Sequence, residues 1–258
     1  MKGQSFELPS KHKIHLPDGQ KIAKLKQFAR TPFLVAFQAG WFKFSLCTVH
    51  LYFGSKSGAK FRRRVKEIGK IAKFLSDRSA EIREREQRGE NFILLGDFNI
   101  VDAEDDTFKA LTNNGFTVPQ PLHKSNVSKT RFYDQIAFRV RERELKLGSS
   151  DSNSGVSRFF DSVFRDGDED FDIYHDLMEN TEVRDIHDRG SKKGQPRTED
   201  DKKAYYRKNW RTWQMSDHEP LWVELKIDFS EDYLERVREE TGTECARRGY
   251  ERPKSSPT

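Results

Sequence analysis

The residues of this chain best placed to do chemistry are carboxylates and imidazoles that sit at the ends of apolar strands. Phe92-Ile93-Leu94-Leu95 runs into Gly96-Asp97-Phe98-Asn99, and Tyr133-Asp134 opens the run Gln135-Ile136-Ala137-Phe138. Ser216-Asp217-His218-Glu219-Pro220 precedes an alternating segment, and Thr48-Val49-His50-Leu51 places a histidine inside a strand. Strand ends are where a sheet gathers its loops around a cleft, and Asp and His there can do acid–base work. Singly, each has a plainer reading. Asp and Asn favour turns, Asp134 and Asp217-His218 can be strand-entry residues, and a histidine on an apolar strand is most often a satisfied core residue.

The elements that must position them follow from hydrophobic period. Pro32 to Phe37 and Phe42 to Leu51 are two β-rich runs separated by Gly40, and they read as paired strands. After the turn at Gly54 to Gly58, Phe61, Val65, Ile68, Ala72 and Leu75 fall on one helical face, with Arg62, Arg63, Lys66, Lys70 and Lys73 on the other. That basic face is read as the wet side of an amphipathic helix, which continues into the charged segment Glu81 to Glu90. Phe92 to Leu95 is uninterrupted, as expected of a strand buried on both faces. Asp105 can cap a short helix carrying Phe108 and Leu111 that Asn114-Gly115 ends. Leu221, Val223, Leu225 and Ile227 alternate with Trp222, Glu224, Lys226 and Asp228, the period-2 pattern of a last strand.

The expected organisation is an irregular lead-in over 1–30 with a hairpin, a domain over 31–229, and a helix around Tyr233 to Val237 within a polar tail over 230–258. Residues 141–209 are charged and Gly/Ser-rich, and are expected to be a polar insertion of partial order, with the fold resuming at Trp210. The net charge of +5 and pI of about 9.0 suit an anionic substrate such as nucleic acid, without the dense basicity of a DNA-packaging protein. Cys47 lies in an apolar run and Cys245 in a polar stretch, so no disulfide framework is expected and a cytoplasmic location is. No run approaches the roughly 18 apolar residues of a membrane span.

Gly-Asp-Phe-Asn after a buried strand, then Tyr-Asp-Gln-Ile, then Ser-Asp-His-Glu-Pro before a final strand, preceded by Thr-Val-His-Leu and a basic helix, resemble the ordered motifs of the endonuclease/exonuclease/phosphatase superfamily. That superfamily includes deoxyribonuclease I, abasic-site endonucleases, sphingomyelinases and inositol phosphatases, and the likeness spans roughly residues 31 to 229. The resemblance implies a deoxyribonuclease I-like α/β sandwich of two sheets and metal-dependent hydrolysis of a phosphodiester or phosphomonoester. It implies that Asp97 orients or deprotonates the attacking water, with Asn99 positioning Asp97 or the phosphate. Asp134 would hold His218, which would donate to a phosphate oxygen, while His50 assists from the other side and Asp217 helps hold the cation. Oxygen ligands suit Mg²⁺ or Mn²⁺.

The chain also departs from the family pattern. There, the first half of the domain supplies an early strand ending in asparagine and then a metal-binding glutamate in a Gln-Glu context. Before Thr31 the acidic residues here are Glu7, in Phe6-Glu7-Leu8-Pro9, and Asp18, and neither has that setting. The expectation is therefore a C-terminal portion of such a domain, its N-terminal strands missing. A metal-dependent phosphoesterase, a catalytically inactive remnant or interaction module, and one half of a split enzyme completed by a partner chain all remain open.

Overall fold

The structure, a computed structural model, describes residues 4–5, 28–40, 42–86, 90–141, 144–147, 153–178, 181–231, 234–235 and 237–239. The architecture is mixed α/β. Five strands form the main sheet in chain order: β1 (Gln4–Ser5), β2 (Phe33–Ala39), β3 (Phe42–His50), β4 (Asn91–Asp97) and β5 (Asp134–Arg139). All neighbours are antiparallel except β3 and β4, which the long helix α1 (Gly58–Glu86) connects in parallel. A parallel pair requires a crossover of this kind, because a tight hairpin can join only antiparallel strands.

Side-chain alternation divides the sheet's two faces. Cys47, Val49, Phe92, Leu94 and Ala137 point to one side, where Ile68, Ile71, Ala72 and Leu75 of α1 cover them. The helix α2 (Asp106–Thr112) adds Leu111 to the same core, and the Asp105 carboxylate caps it by accepting the Thr107 and Phe108 N–H groups. On the other side lie Phe42, Phe44, Ile93, Leu95, Ile136 and Phe138. Two short antiparallel ladders cover that face: β6 (Lys146–Leu147) with β9 (Leu225–Lys226), and β7 (Ser154–Val156) with β8 (Leu221–Val223). Leu147 packs there with Val223, Leu225 and Ile227, the last three on the face their alternation predicts, although the expected single last strand is two short ones, β8 and β9. Among the described residues the second layer is these two ladders, narrower than a second full sheet.

The segment expected to be only partly ordered forms a small core of its own. It holds a 3-10 turn (Phe159–Asp161), α3 (Asp168–His175), α4 (Thr181–Asp185), α5 (Glu199–Tyr205), a π turn (Tyr206–Trp210) and α6 (Arg211–Gln214). Phe171, Met178 and Tyr206 are buried together, with Phe164, Tyr174, Tyr205 and Trp210 against them. Thr198 and Asp201 form a reciprocal capping box at the start of α5. Trp210 packs into this cluster, on Phe164, Tyr174 and Tyr206. Its aromatic residues are scattered over almost fifty positions without a period, which is why composition alone suggested only partial order.

Most of the lead-in, including Glu7 and the expected hairpin, lies outside the described residues, as do Cys245 and the end of the tail. Of the expected terminal helix, Leu234, Glu235 and Val237 are described and helical. Among the described residues no helix is long and apolar enough to cross a membrane.

Cys47 is fully buried, and burial pushes its thiol up to about 12 because the thiolate has no water or cation to stabilise it. With Cys245→Ser to isolate it, iodoacetamide labelling of native Cys47 is expected to stay negligible and flat from about pH 7 to pH 10, whereas an exposed thiol accelerates near its pKa of about 8.5. Mass spectrometry with and without denaturant measures the difference.

Candidate active site

Strand register brings three chemically competent residues into one row. His50 ends β3 and faces Asp97 at the end of β4, and Asp97 in turn faces Asp134 at the start of β5. The row exists because β3 and β4 lie very close at Gly96, whose φ of +132° and lack of a Cβ let the β4 backbone meet the Val49 carbonyl. Beyond the row the chain is fastened across strands, with Leu51 N–H donating to the Asp97 carbonyl at 2.8 Å and Phe98 N–H to the Tyr133 carbonyl at 2.8 Å.

Asn99 holds this turn. Its backbone is left-handed at φ +54°, a conformation asparagine tolerates better than most residues. The Asn99 N–H donates to Asp97 Oδ1 at 2.7 Å, and its buried side-chain amide donates to the Leu51 carbonyl at 2.9 Å. Asn99 thus acts on Asp97 through its main chain, while its side chain ties the end of β4 to the end of β3.

His218 arrives from a distant part of the chain. Its Nδ1–H donates to Asp134 Oδ2 at 2.7 Å, and Ser125 Oγ donates to the same oxygen. The loop carrying His218 is laced to the segment around Ser125: Val127 N–H bonds the Asp217 carbonyl at 2.9 Å, Glu219 N–H bonds the Ser125 carbonyl at 2.7 Å, and Lys129 pairs with the buried Glu219. The Tyr133 ring stacks on the imidazole with centroids 5.4 Å apart. Nδ1 is committed to Asp134, so Nε2 is the nitrogen left for chemistry.

Electrostatics separate the roles. Burial is the main reason the Asp97 carboxyl is pushed up to about 6, with the nearby Asp134 charge adding to it and the Asn99 N–H opposing. The hydrogen bond to Asp134 lifts His218 above the ordinary imidazole value, favouring its cation. His50 moves the other way, lowered first by burial and then by the Arg30 and His218 charges. It lies 3.4 Å from Asp97 Oδ2 through Nε2, half exposed. Two imidazoles flank one carboxylate, one biased toward the cation and one toward the neutral ring.

The two imidazoles line an open cleft of about 420 Å³, together with Arg30, Tyr52, Phe53, Asn99, Tyr133 and Asp217, with Gly54. Asp97, Asp134 and His218 each offer a ligand atom, and the three atoms lie within 4.8 Å of one another. Two carboxylates beside an imidazole fit a hard divalent cation, which binds through one or two carboxylates and keeps much of its water. Asp217, the residue expected to hold the cation, is not part of this group. It lines the cleft, while Asp97 and Asp134 supply the converging oxygens. Asp97 and Asp134 are cross-strand partners, whereas Asp217 lies outside the strands and is exposed.

Of the six residues singled out in the sequence, His50, Asn99, Asp217 and His218 line this cleft, and Asp97 and Asp134 lie beside it against His50 and His218. Sequence reasoning missed Arg30, Tyr52, Phe53, Tyr133 and Ser125. Tyr52-Phe53 and Tyr133 adjoin predicted site residues and could have been found by adjacency. Arg30, in the irregular lead-in, and Ser125 had no such signal.

No family model matches the chain, and none of the curated proteins compared with it matches. Among solved structures it is similar to a functionally unknown conserved protein from Enterococcus faecalis V583, at 15% identity and a TM-score of 0.36 over 50% of this chain and 48% of that one. It is also similar to sphingomyelinase C from Streptomyces griseocarneus, at 12% identity and a TM-score of 0.33 over 50% and 47%. A variant of beta toxin from Staphylococcus aureus with bound magnesium ions gives 10% identity and a TM-score of 0.28 over 49% and 47%. The chain spans about half the length of the solved structures it matches. At such low TM-scores the likeness adds nothing to what the cleft's own geometry supports.

Proposed function

We propose that this chain carries the phosphate-handling half of a metal-dependent phosphoester hydrolase, within a deoxyribonuclease I-like sandwich over 31–229. The observation that carries the reading is the row His50, Asp97, Asp134 across three neighbouring strands, closed by His218 on Asp134 at 2.7 Å. A phosphodiester is anionic and repels its nucleophile, so hydrolysis needs an oriented water, donors for developing charge and a cation. Asp97, whose carboxylate accepts the Asn99 N–H, orients the water and takes its proton. His218, held in one orientation by Asp134, donates from Nε2 to a phosphate oxygen as charge builds there. His50 assists from the β3 side and Arg30 contributes positive charge on the exposed rim. Mg²⁺ or Mn²⁺ held by the Asp97 and Asp134 oxygens would neutralise the phosphate. The net charge of +5 favours a nucleic-acid phosphodiester among the substrates.

A second reading has its own observation: no glutamate is among the described residues that line the cleft. It holds that the chain is a binding module that lost turnover, or one half of an enzyme whose other half supplies the missing carboxylate. Chelation separates these readings. Under the first, cleavage of bis(p-nitrophenyl) phosphate and plasmid DNA disappears with EDTA and returns with excess Mg²⁺ or Mn²⁺. Under the second, calorimetry finds weak cation binding and no hydrolysis at any metal concentration. Co-purification with a glutamate-bearing half-domain would identify a split enzyme. Turnover that EDTA leaves untouched would sink the metal-dependent proposal.

A further inference from the structure

Glu67 of α1 is fully buried, although ionised carboxylates rarely leave water without a set of donors to replace it. Three donors meet it here. Tyr52 N–H reaches Oε2 at 3.1 Å and Arg63 Nε–H reaches Oε1 at 3.0 Å, and the Ala29 N–H, on the side of the carboxylate toward Arg30, favours its ionised form. Position explains two of them. β3 ends at His50, Leu51 N–H still bonds Asp97, and Tyr52 is where the main chain leaves the sheet, so Glu67 accepts the N–H that the ladder no longer can. Ala29 immediately precedes Arg30, the exposed guanidinium of the cleft.

Arg64, also fully buried, reinforces the same wall. Its Nη1–H donates to the Phe53 carbonyl at 2.7 Å, and its guanidinium lies 5.4 Å from the Phe53 ring centre. Arg63 sits 4.4 Å over the Tyr52 ring. Two segments remote in sequence, 29–30 and 52–53, both contribute to the cleft and both end on one turn of one helix. An apolar residue would fill the Glu67 site at less desolvation cost. The polar arrangement is therefore better accounted for by what it holds than by stability.

We propose that Glu67 is a positioning residue that sets the cleft's affinity for a phosphate anion by holding the Arg30 segment and the Tyr52–Phe53 segment in register with each other. The inference rests on the reading of the cleft as a phosphate site. It adds a determinant that lies behind the cleft and acts through Arg30.

The test is a double-variant cycle, with inorganic phosphate binding measured by calorimetry for the unaltered protein, Glu67→Gln, Arg30→Ala and the combination. Glu67→Gln keeps the volume and removes the acceptor charge. It is expected to weaken phosphate binding by roughly tenfold, as losses of supporting partners typically do. Arg30→Ala should weaken it similarly, and the double variant should bind no more weakly than Arg30→Ala alone. With bis(p-nitrophenyl) phosphate, Glu67→Gln should raise KM while kcat changes less. If Glu67→Gln is insoluble, Glu67→Met, which removes both side-chain oxygens, should give at least the same shift and the same cycle.

Unchanged phosphate affinity in the folded Glu67 variant, or losses that simply add in the double variant, would overturn the inference. So would an unaltered protein that binds no phosphate. Failure of the hydrolase reading is distinct: phosphate binding would follow the expected cycle while no substrate is turned over.

Discussion

Asp97→Ala and His218→Ala are each expected to lower metal-dependent cleavage of bis(p-nitrophenyl) phosphate by about 10²- to 10⁴-fold, the usual contribution of a positioned acid or base. Asp134→Asn should approach the same loss although it leaves the shape of the site intact, because an amide cannot hold the Nδ1–H of His218 as a carboxylate does. The combination of Asp134→Asn with His218→Ala should be scarcely worse than His218→Ala alone, since groups that act as a unit do not add. All of these side chains are at least partly accessible, so circular dichroism should find the variants folded. The assignment fails if Asp97→Ala and His218→Ala both retain the unaltered rate.

Gly96→Ala is expected to cost more stability than any of the active-site changes. A Cβ there would lie 2.0 Å from the Val49 carbonyl oxygen and 3.0 Å from its carbon, against backbone that cannot rotate away. The φ of +132° adds strain of about 1–3 kcal/mol for a residue with a side chain, and overpacking adds about 1–3 kcal/mol. Together they approach about 4 kcal/mol, a large part of a domain's roughly 5–15 kcal/mol. For a chain of this size the thermal midpoint should fall by about 10 °C. Any relief by parting β3 from β4 would also separate His50 from Asp97, so residual folded protein should be inactive. Gly167→Ala has open space around it and an ordinary φ, and should stay within about 0.5 kcal/mol of the parent. Equal midpoints for the two variants in differential scanning calorimetry would refute the close-approach account.

Where local pattern and tertiary demand coincide, the sequence was readable. The alternation in Leu221 to Ile227, the helical period from Ile68 to Leu75 and the unbroken apolar run before Gly96 each specify which face is buried, and the structure uses those faces; in the first turns of α1 it instead buries Arg64 and Glu67 and leaves Phe61 and Val65 half-buried. The small aromatic core between Phe164 and Trp210 was not readable, because its members meet only after several short helices fold back on one another. Arg64 and Glu67 were equally hidden. Both sit in a helix whose charged residues mostly face water, and nothing in their spacing distinguishes them from solvated neighbours such as Arg62.

By itself the chain determined which residue types stand at strand ends, since hydrophobic period is local and Asp97, Asp134 and His218 interrupt it visibly. Only the tertiary structure decided that Asp97 and Asp134, and not Asp217, bring carboxylate oxygens together, and that Arg30 joins them. Strand register and helix docking are set by contacts among residues tens of positions apart. No window of neighbouring residues carries that information.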